Sequence, residues 1–116
     1  MIRVGTVLCP VDLGPTSEST VRLGSILCER LGARLVLHHN LDSRPPGFLS
    51  VRWMWSEDHE DDAARQADSA PERLRELMAG VSPPVEMEAK LTRGPFEESL
   101  RQVVEHVGAE LIVMST

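Results

Sequence analysis

The chain has no tyrosine, two phenylalanines, two tryptophans and two cysteines in 116 residues. Lysine and arginine number 12 against 18 acidic residues, a net charge of −6. Each scarcity excludes something. Two isolated cysteines make no disulfide framework and have no zinc-type spacing. Cys9 and Cys28 therefore read as small buried hydrophobes. An excess of negative charge argues against a nucleic-acid backbone or an anionic membrane as the main partner. No apolar run approaches the ~18 residues of a spanning helix. The opening Met1-Ile2-Arg3-Val4 leads straight toward a strand, without the layout of a secretory signal. A cytoplasmic, single-domain protein over residues 1–116 is the expectation.

What is present is a recurring alternation of strand and helix. Val4 to Val11 is nearly continuous in apolar residues, as expected of a strand covered on both faces. Helix one is expected from about Pro15 to Leu31, with Val21, Gly24, Leu27, Cys28 and Leu31 on the face toward the sheet. Gly24 in mid-helix implies close approach to a strand, and Gly32 reads as a left-handed stop. Ala33 to Asn40 is strand two. Ser56 to Met78 is helical in pattern but interrupted at Pro71, and Ser69-Ala70-Pro71-Glu72 matches a capping box that would start a second segment. Val85 to Leu91 alternates apolar with Glu86, Glu88 and Lys90, which marks an edge strand. Gly94-Pro95 opens helix three, whose Phe96, Leu100, Val103, Val104 and Val107 recur at helical spacing. Glu110 to Ser115 is strand four, apolar on both faces. The sum is a parallel α/β sheet, doubly wound, in strand order 3-2-1-4. Strand order then reverses between strands one and four. The crevice at their carboxyl ends, flanked by Asp12 and Ser115-Thr116, is where a ligand is expected.

Asp12 ends strand one just before a helix N-terminus. It could cap that helix, close a turn through its own side chain, or stand in solvent. It could equally accept hydrogen bonds from ribose hydroxyls or a base amine, while turn and helix N–H groups take an anion. His38 and His39 are adjacent on a strand and so face opposite sides, which rules out a shared metal site without a bend. His59 and His106 read as surface residues. Phe48, Trp53 and Trp55 cluster within a loop or extended segment that covers the sheet edge or forms a lid or contact patch. Glu57 to Asp62 is an acidic run suited to a solvated helix start. Ser17, Ser19 and Thr20 have no histidine nearby in sequence and no nucleophile elbow is present, so no catalytic constellation emerges. A receiver domain of the response-regulator type would need an aspartate after strand three, where this chain has Leu91-Thr92-Arg93.

Val7-Leu8-Cys9-Pro10-Val11-Asp12, followed by Thr16-x-x-Ser19, resembles the opening of universal stress protein domains. So do Arg34-Leu35-Val36-Leu37-His38, Gly94-Pro95, and Glu110-Leu111-Ile112-Val113-Met114-Ser115-Thr116. The likeness runs along the whole chain and is weakest between Pro45 and Gly80. It implies a flavodoxin-like sheet with order 3-2-1-4-5, a regulatory role in stress response, and, in some members, adenine nucleotide binding. The resemblance puts adenosine contacts on Pro10, Val11, Asp12, His39, Met114 and Ser115, with Thr116 at the same rim. ATP or AMP is the implied ligand, with Mg2+ only beside a triphosphate. ATP-binding members continue past strand four into a glycine-rich phosphate loop and a fifth strand. Here nothing follows Thr116, so the resemblance implies the adenosine half of a site, with triphosphate binding expected only in a longer parent chain. A strand-four edge left open would pair with a second copy or a partner chain. A domain of the same fold that associates without nucleotide is the other expectation, and weak ATP hydrolysis at Asp12 a third.

Overall fold

The computed structural model describes residues 3–41, 69–81 and 84–115. The strands are β1 (Thr6–Pro10), β2 (Arg34–Asn40), β3 (Met87–Thr92) and β4 (Leu111–Ile112). The helices are α1 (Ser17–Leu31), α2 (69–79) and α3 (Phe96–Val107). All strand pairs are parallel, and the sheet runs β3-β2-β1-β4, the order expected from the sequence. The register sets Leu8 opposite Val36 on one side and Ile112 on the other.

Parity along the strands divides the core. Val7, Cys9, Leu35 and Leu37 face α1 and α2, where Val21, Cys28 and Leu74 meet them. Leu8 and Val36 face the other way, onto Val103 and Val107 of α3. Both cysteines are buried and free. Burial pushes the Cys9 thiol up to about 12, with Cys28 adding to the shift, so at neutral pH it stays a protonated apolar group.

Gly24 of α1 is buried against Leu35 of β2 and Cys9 of β1. A Cβ there would sit 3.0 Å from Leu35 Cδ1 and 4.0 Å from Cys9 Sγ. Gly32 and Gly108 end α1 and α3 in the left-handed conformation, at φ 66° and 68°. At the amino ends of the strands, Arg34 donates to the Thr6 hydroxyl, the Glu88 carboxylate and the Val107 carbonyl. That guanidinium links β1, β2, β3 and α3 from one point.

Several expectations are corrected. Helix α1 starts at Ser17, not Pro15, because the chain first makes a turn in which the Ser17 N–H donates to the Gly14 carbonyl. Leu31, the last residue of α1, is 46% exposed, while Ser17, Thr20 and Ser25 are buried. The described part of α2 begins at Ser69, ahead of Pro71, where the sequence places the start of a helix segment. Regular pairing in β4 covers only Leu111–Ile112, shorter than the expected Glu110 to Ser115, and β4 is the sheet edge among the described residues, as the 3-2-1-4 order implies. Edge position for β3 holds, with Met87 and Ala89 on the core side. No helix of the described residues is long and apolar enough to cross a membrane. Phe48, Trp53 and Trp55, the run from Glu57 to Asp62, His59 and Thr116 lie outside the described residues.

Candidate functional site

The chain leaves β1 through a turn organised by one carboxylate. Asp12 Oδ1 accepts from the Gly14 N–H at 2.7 Å and from the Ser17 hydroxyl at 3.1 Å. The Gly14 amide first, then the Ser17 hydroxyl and the nearby His39, hold the Asp12 carboxyl below its ordinary range, against the opposing effect of burial. Asp12 is exposed and ionised at neutral pH. Leu13 follows with φ 62°, the single non-glycine residue in the left-handed region among the described residues. Such a backbone is costly for a leucine and persists only where surroundings hold it. Here the side chain is buried, and the carbonyl accepts from Arg73 of α2.

Thr16, at the N-cap of α1, makes no side-chain bond to its own helix. Its hydroxyl meets that of Ser115 at 3.0 Å, tying the start of α1 to the end of β4 across the tip of β1. On the other side of β1, the Val11 N–H donates to the His38 carbonyl, and His39 Nδ1 lies 2.9 Å from the Val11 carbonyl oxygen.

These contacts frame an opening of about 160 Å³ at the carboxyl ends of β1, β2 and β4. Pro10, Val11, Asp12, His39, Met114 and Ser115 all border it. The sequence reading missed Asn40 and Phe96, which complete the rim. Asn40 Nδ2 donates to the Gly94 carbonyl and so anchors the turn that brings Phe96 there. The Gly94-Pro95 pair was the available signal, since a loop after β3 ends at the same rim as one after β1. A larger opening of about 600 Å³ lies between the β1–α1 turn and α2. Its rim mixes Arg22 and Arg73 with Glu18 and Glu76, and none of the sequence-predicted site residues borders it. The smaller opening is the candidate site, because strand ends, a topological switch point and convergent polar groups coincide there. Among the described residues no group of three or more histidine, cysteine, aspartate or glutamate side chains is placed to hold a metal ion.

His38 lies behind this rim, on the α3 side of the sheet. It is 1% exposed, stacks on Phe96 with ring centroids 6.3 Å apart, and shares a 2.7 Å hydrogen bond between Nε2 and the Thr92 hydroxyl. Its Nδ1 is buried without a partner among the described residues. Burial, and secondarily His39, lower its pKa below the ordinary 6.5. The unfolded chain therefore takes up a proton that the folded chain refuses. The contribution of His38 to stability is present above 6.5 and is lost as pH falls from there through the folded value. The melting temperature of the wild-type chain should drop more steeply between about pH 7 and about pH 5 than that of a His38→Gln variant. Equal slopes would remove His38 as the source.

The comparisons with known proteins agree with this architecture. The universal stress protein family model matches residues 4–116. A universal stress protein UspA from Lactobacillus plantarum is similar in structure, with TM-score 0.63 and 21% identity, over 98% of this chain and 78% of that one. A universal stress protein family member from Burkholderia pseudomallei has TM-score 0.56 and 22% identity, over 97% and 82%. A further solved universal stress protein, described in complex with cAMP, has TM-score 0.55 and 16% identity, over 96% and 72%. No curated protein matches. Strand order, site position and the family match lead to one conclusion: this chain belongs to the universal stress protein family.

Proposed function

We propose that this chain is a stress-response regulatory module, acting in the cytoplasm, that binds an adenine nucleotide, ATP or AMP, at the ends of β1 and β4. The observation that carries this reading is convergence. Residues far apart in sequence, from Pro10 to Ser115, surround one opening at the switch point of the sheet. At about 160 Å³ the opening is smaller than the ~300–1,000 Å³ typical of sites that enclose a whole ligand. It suits a base and part of its ribose, with phosphates projecting outward. Asp12 offers a free carboxylate oxygen to ribose hydroxyls, and the Val11 backbone and His39 lie on the side suited to the base. Pro10, Met114 and Ser115 supply walls. Mg2+ would accompany only a triphosphate, held through the phosphate oxygens. The complex of a related protein with cAMP supports an adenine ligand for the fold.

Thermal denaturation with adenosine, AMP and ATP tests the reading. A ligand at 100 times its dissociation constant should stabilise the chain by about 2.7 kcal/mol. At equal ligand concentrations, a shift from adenosine with no further shift from AMP or ATP supports the half-site, and no shift from any of the three overturns the reading. The residues at the rim offer no nucleophile with an adjacent base, so the module is read as a binder rather than an enzyme.

A second reading has its own observation. On β4, the edge strand among the described residues, Ile112 is 42% exposed. An apolar edge with open N–H and C=O groups favours pairing with a second copy. Sedimentation should then give twice the monomer mass, and charging the edge with Ile112→Lys should return it to monomer. A wild-type chain that sediments as monomer at high concentration rejects this reading.

A further inference from the structure

We infer that His38 is a proton-operated catch on the crevice: when its ring takes up a proton, Phe96 and the turn between β3 and α3 are freed and the rim opens. The inference goes beyond the adenine-nucleotide reading. The opening depends on the rim alone, and only its effect on affinity depends on the ligand. The segment from Thr92 to Phe96 is held against the end of β2 by neighbouring residues of that strand and its exit. The Leu41 N–H donates to the Thr92 carbonyl at 2.9 Å, and Asn40 Nδ2 donates to the Gly94 carbonyl at 2.9 Å. His38 Nε2 meets the Thr92 hydroxyl at 2.7 Å, and its ring stacks on Phe96 at an interplanar angle of 11°. Of these three holders only His38 changes charge between about pH 7 and about pH 5. Phe96 and Asn40 border the opening, so whatever loosens this segment reshapes the site.

The case for release is a count of donors. Neutral imidazole carries one N–H, and imidazolium carries one on each nitrogen. Whichever tautomer the Thr92 contact selects, the charged ring therefore has an N–H at Nδ1. That atom is buried and has no partner among the described residues, so the new N–H would have nothing to receive it. Nor is a carboxylate paired with the ring among those residues. On β2 its neighbour is His39, and on β3 the residue opposite in the register is Lys90, a cation bound to Glu88 at 2.6 Å. Arg93 leads into the turn, and Glu97 and Glu98 begin α3, all three exposed to water. Pro10 stands opposite on β1 and does not titrate, and β4 contributes only Leu111 and Ile112. Contact with one face of Phe96 does not replace the water that a buried imidazolium forgoes. The charged ring is satisfied only where water reaches it, which requires His38, or the Phe96 ring stacked on it, to move. Lowering of the His38 pKa by burial agrees with this, since the closed rim refuses the proton.

The test is amide hydrogen exchange on the ligand-free chain, followed by NMR from about pH 7 to about pH 5. The Leu41 amide, bonded to Thr92, and the Ser99 amide, bonded to the Pro95 carbonyl at 3.0 Å, report on the segment. Amides of β1, which is paired on both sides, report on the core. After correction for the intrinsic pH dependence of exchange, opening at Leu41 and Ser99 should rise by up to about tenfold per pH unit as pH falls, the slope for uptake of one proton, while β1 stays protected. In His38→Gln an amide side chain still offers Thr92 a partner and takes up no proton, so opening should be flat with pH. Adenosine itself carries no group that titrates in this range. Its affinity should fall more steeply with acid in the wild-type chain than in His38→Gln. Should that variant not fold, exchange in the wild-type chain decides. Flat opening in the wild type overturns the inference, and so does equal opening of β1, which would be global unfolding. A slope that persists in His38→Gln, or an equally steep fall in adenosine affinity there, also overturns it. If adenosine binds at no pH, the nucleotide reading fails while exchange still decides this inference.

Discussion

Replacing Leu8 with alanine is expected to destabilise the fold by about 3–4 kcal/mol. Leu8 is fully buried in the middle of β1, between Val36 and Ile112 in the register. With Val36, Val103 and Val107 it forms the buried contact through which α3 rests on the sheet. Few other large side chains are there to close the gap, since Leu100, Val104 and Ala109 only border the cluster. Alanine would thus lose the transfer free energy of the missing methyl groups and leave a cavity. Against a total of about 5–15 kcal/mol, a loss of this size brings a small domain close to its threshold. Urea denaturation should show a lower midpoint with unchanged slope. A loss under about 1 kcal/mol would mean that α3 settles onto the sheet and that the layer is softer than its burial implies.

The second large effect concerns binding. In Asp12→Ala the stabilisation by saturating adenosine should fall sharply, because a hydrogen bond to a charged group contributes about 1.5–3 kcal/mol. That corresponds to a ten- to hundredfold weaker affinity. The same change also removes the acceptor for the Gly14 amide and the Ser17 hydroxyl, so the turn itself is disturbed. Ser17→Ala separates the two effects. It deletes one turn bond while leaving the carboxylate in place, and it should retain most of the adenosine shift. If Asp12→Ala keeps the full shift, the carboxylate serves the turn alone. If Ser17→Ala loses as much as Asp12→Ala, turn geometry rather than carboxylate contact governs affinity.

Much of the architecture was legible because it follows from one-dimensional patterns. The nearly continuous apolar stretch from Val4 to Val11 contains the strand Thr6–Pro10, which is buried along its whole length. The alternation around Met87, Ala89 and Leu91 placed that strand at an edge, and the 3-2-1-4 order followed. The juxtaposition of the ends of β1 and β4 was legible for the same reason, since it follows from topology alone. Other features depend on three-dimensional extent. Leu31 has the right angular phase for burial but is 46% exposed at the last position of α1, because angular periodicity does not encode what lies opposite a helix end. Phe96 was read as part of the core stripe of α3, yet it sits at the helix start, 39% exposed, with its ring on His38. Burial of Ser17, Thr20 and Ser25 on the inner face of α1 reflects how closely that helix approaches the sheet, which polarity scales miss. The Leu13 backbone had no signal at all, because the left-handed region at that position is imposed by Arg73 and the Asp12 turn rather than by residue type.

The contact between Gly24 and Leu35 makes one steric unit out of two residues on different elements. Bulk added on the helix must be subtracted from the strand, or the layers must part. In relatives that keep this interlayer spacing, a methyl at the first position needs the leucine tip at the second to yield by a few tenths of an ångström, and a larger group needs a shorter side chain there. Drift at either site is constrained by its counterpart, although neither lies near the crevice.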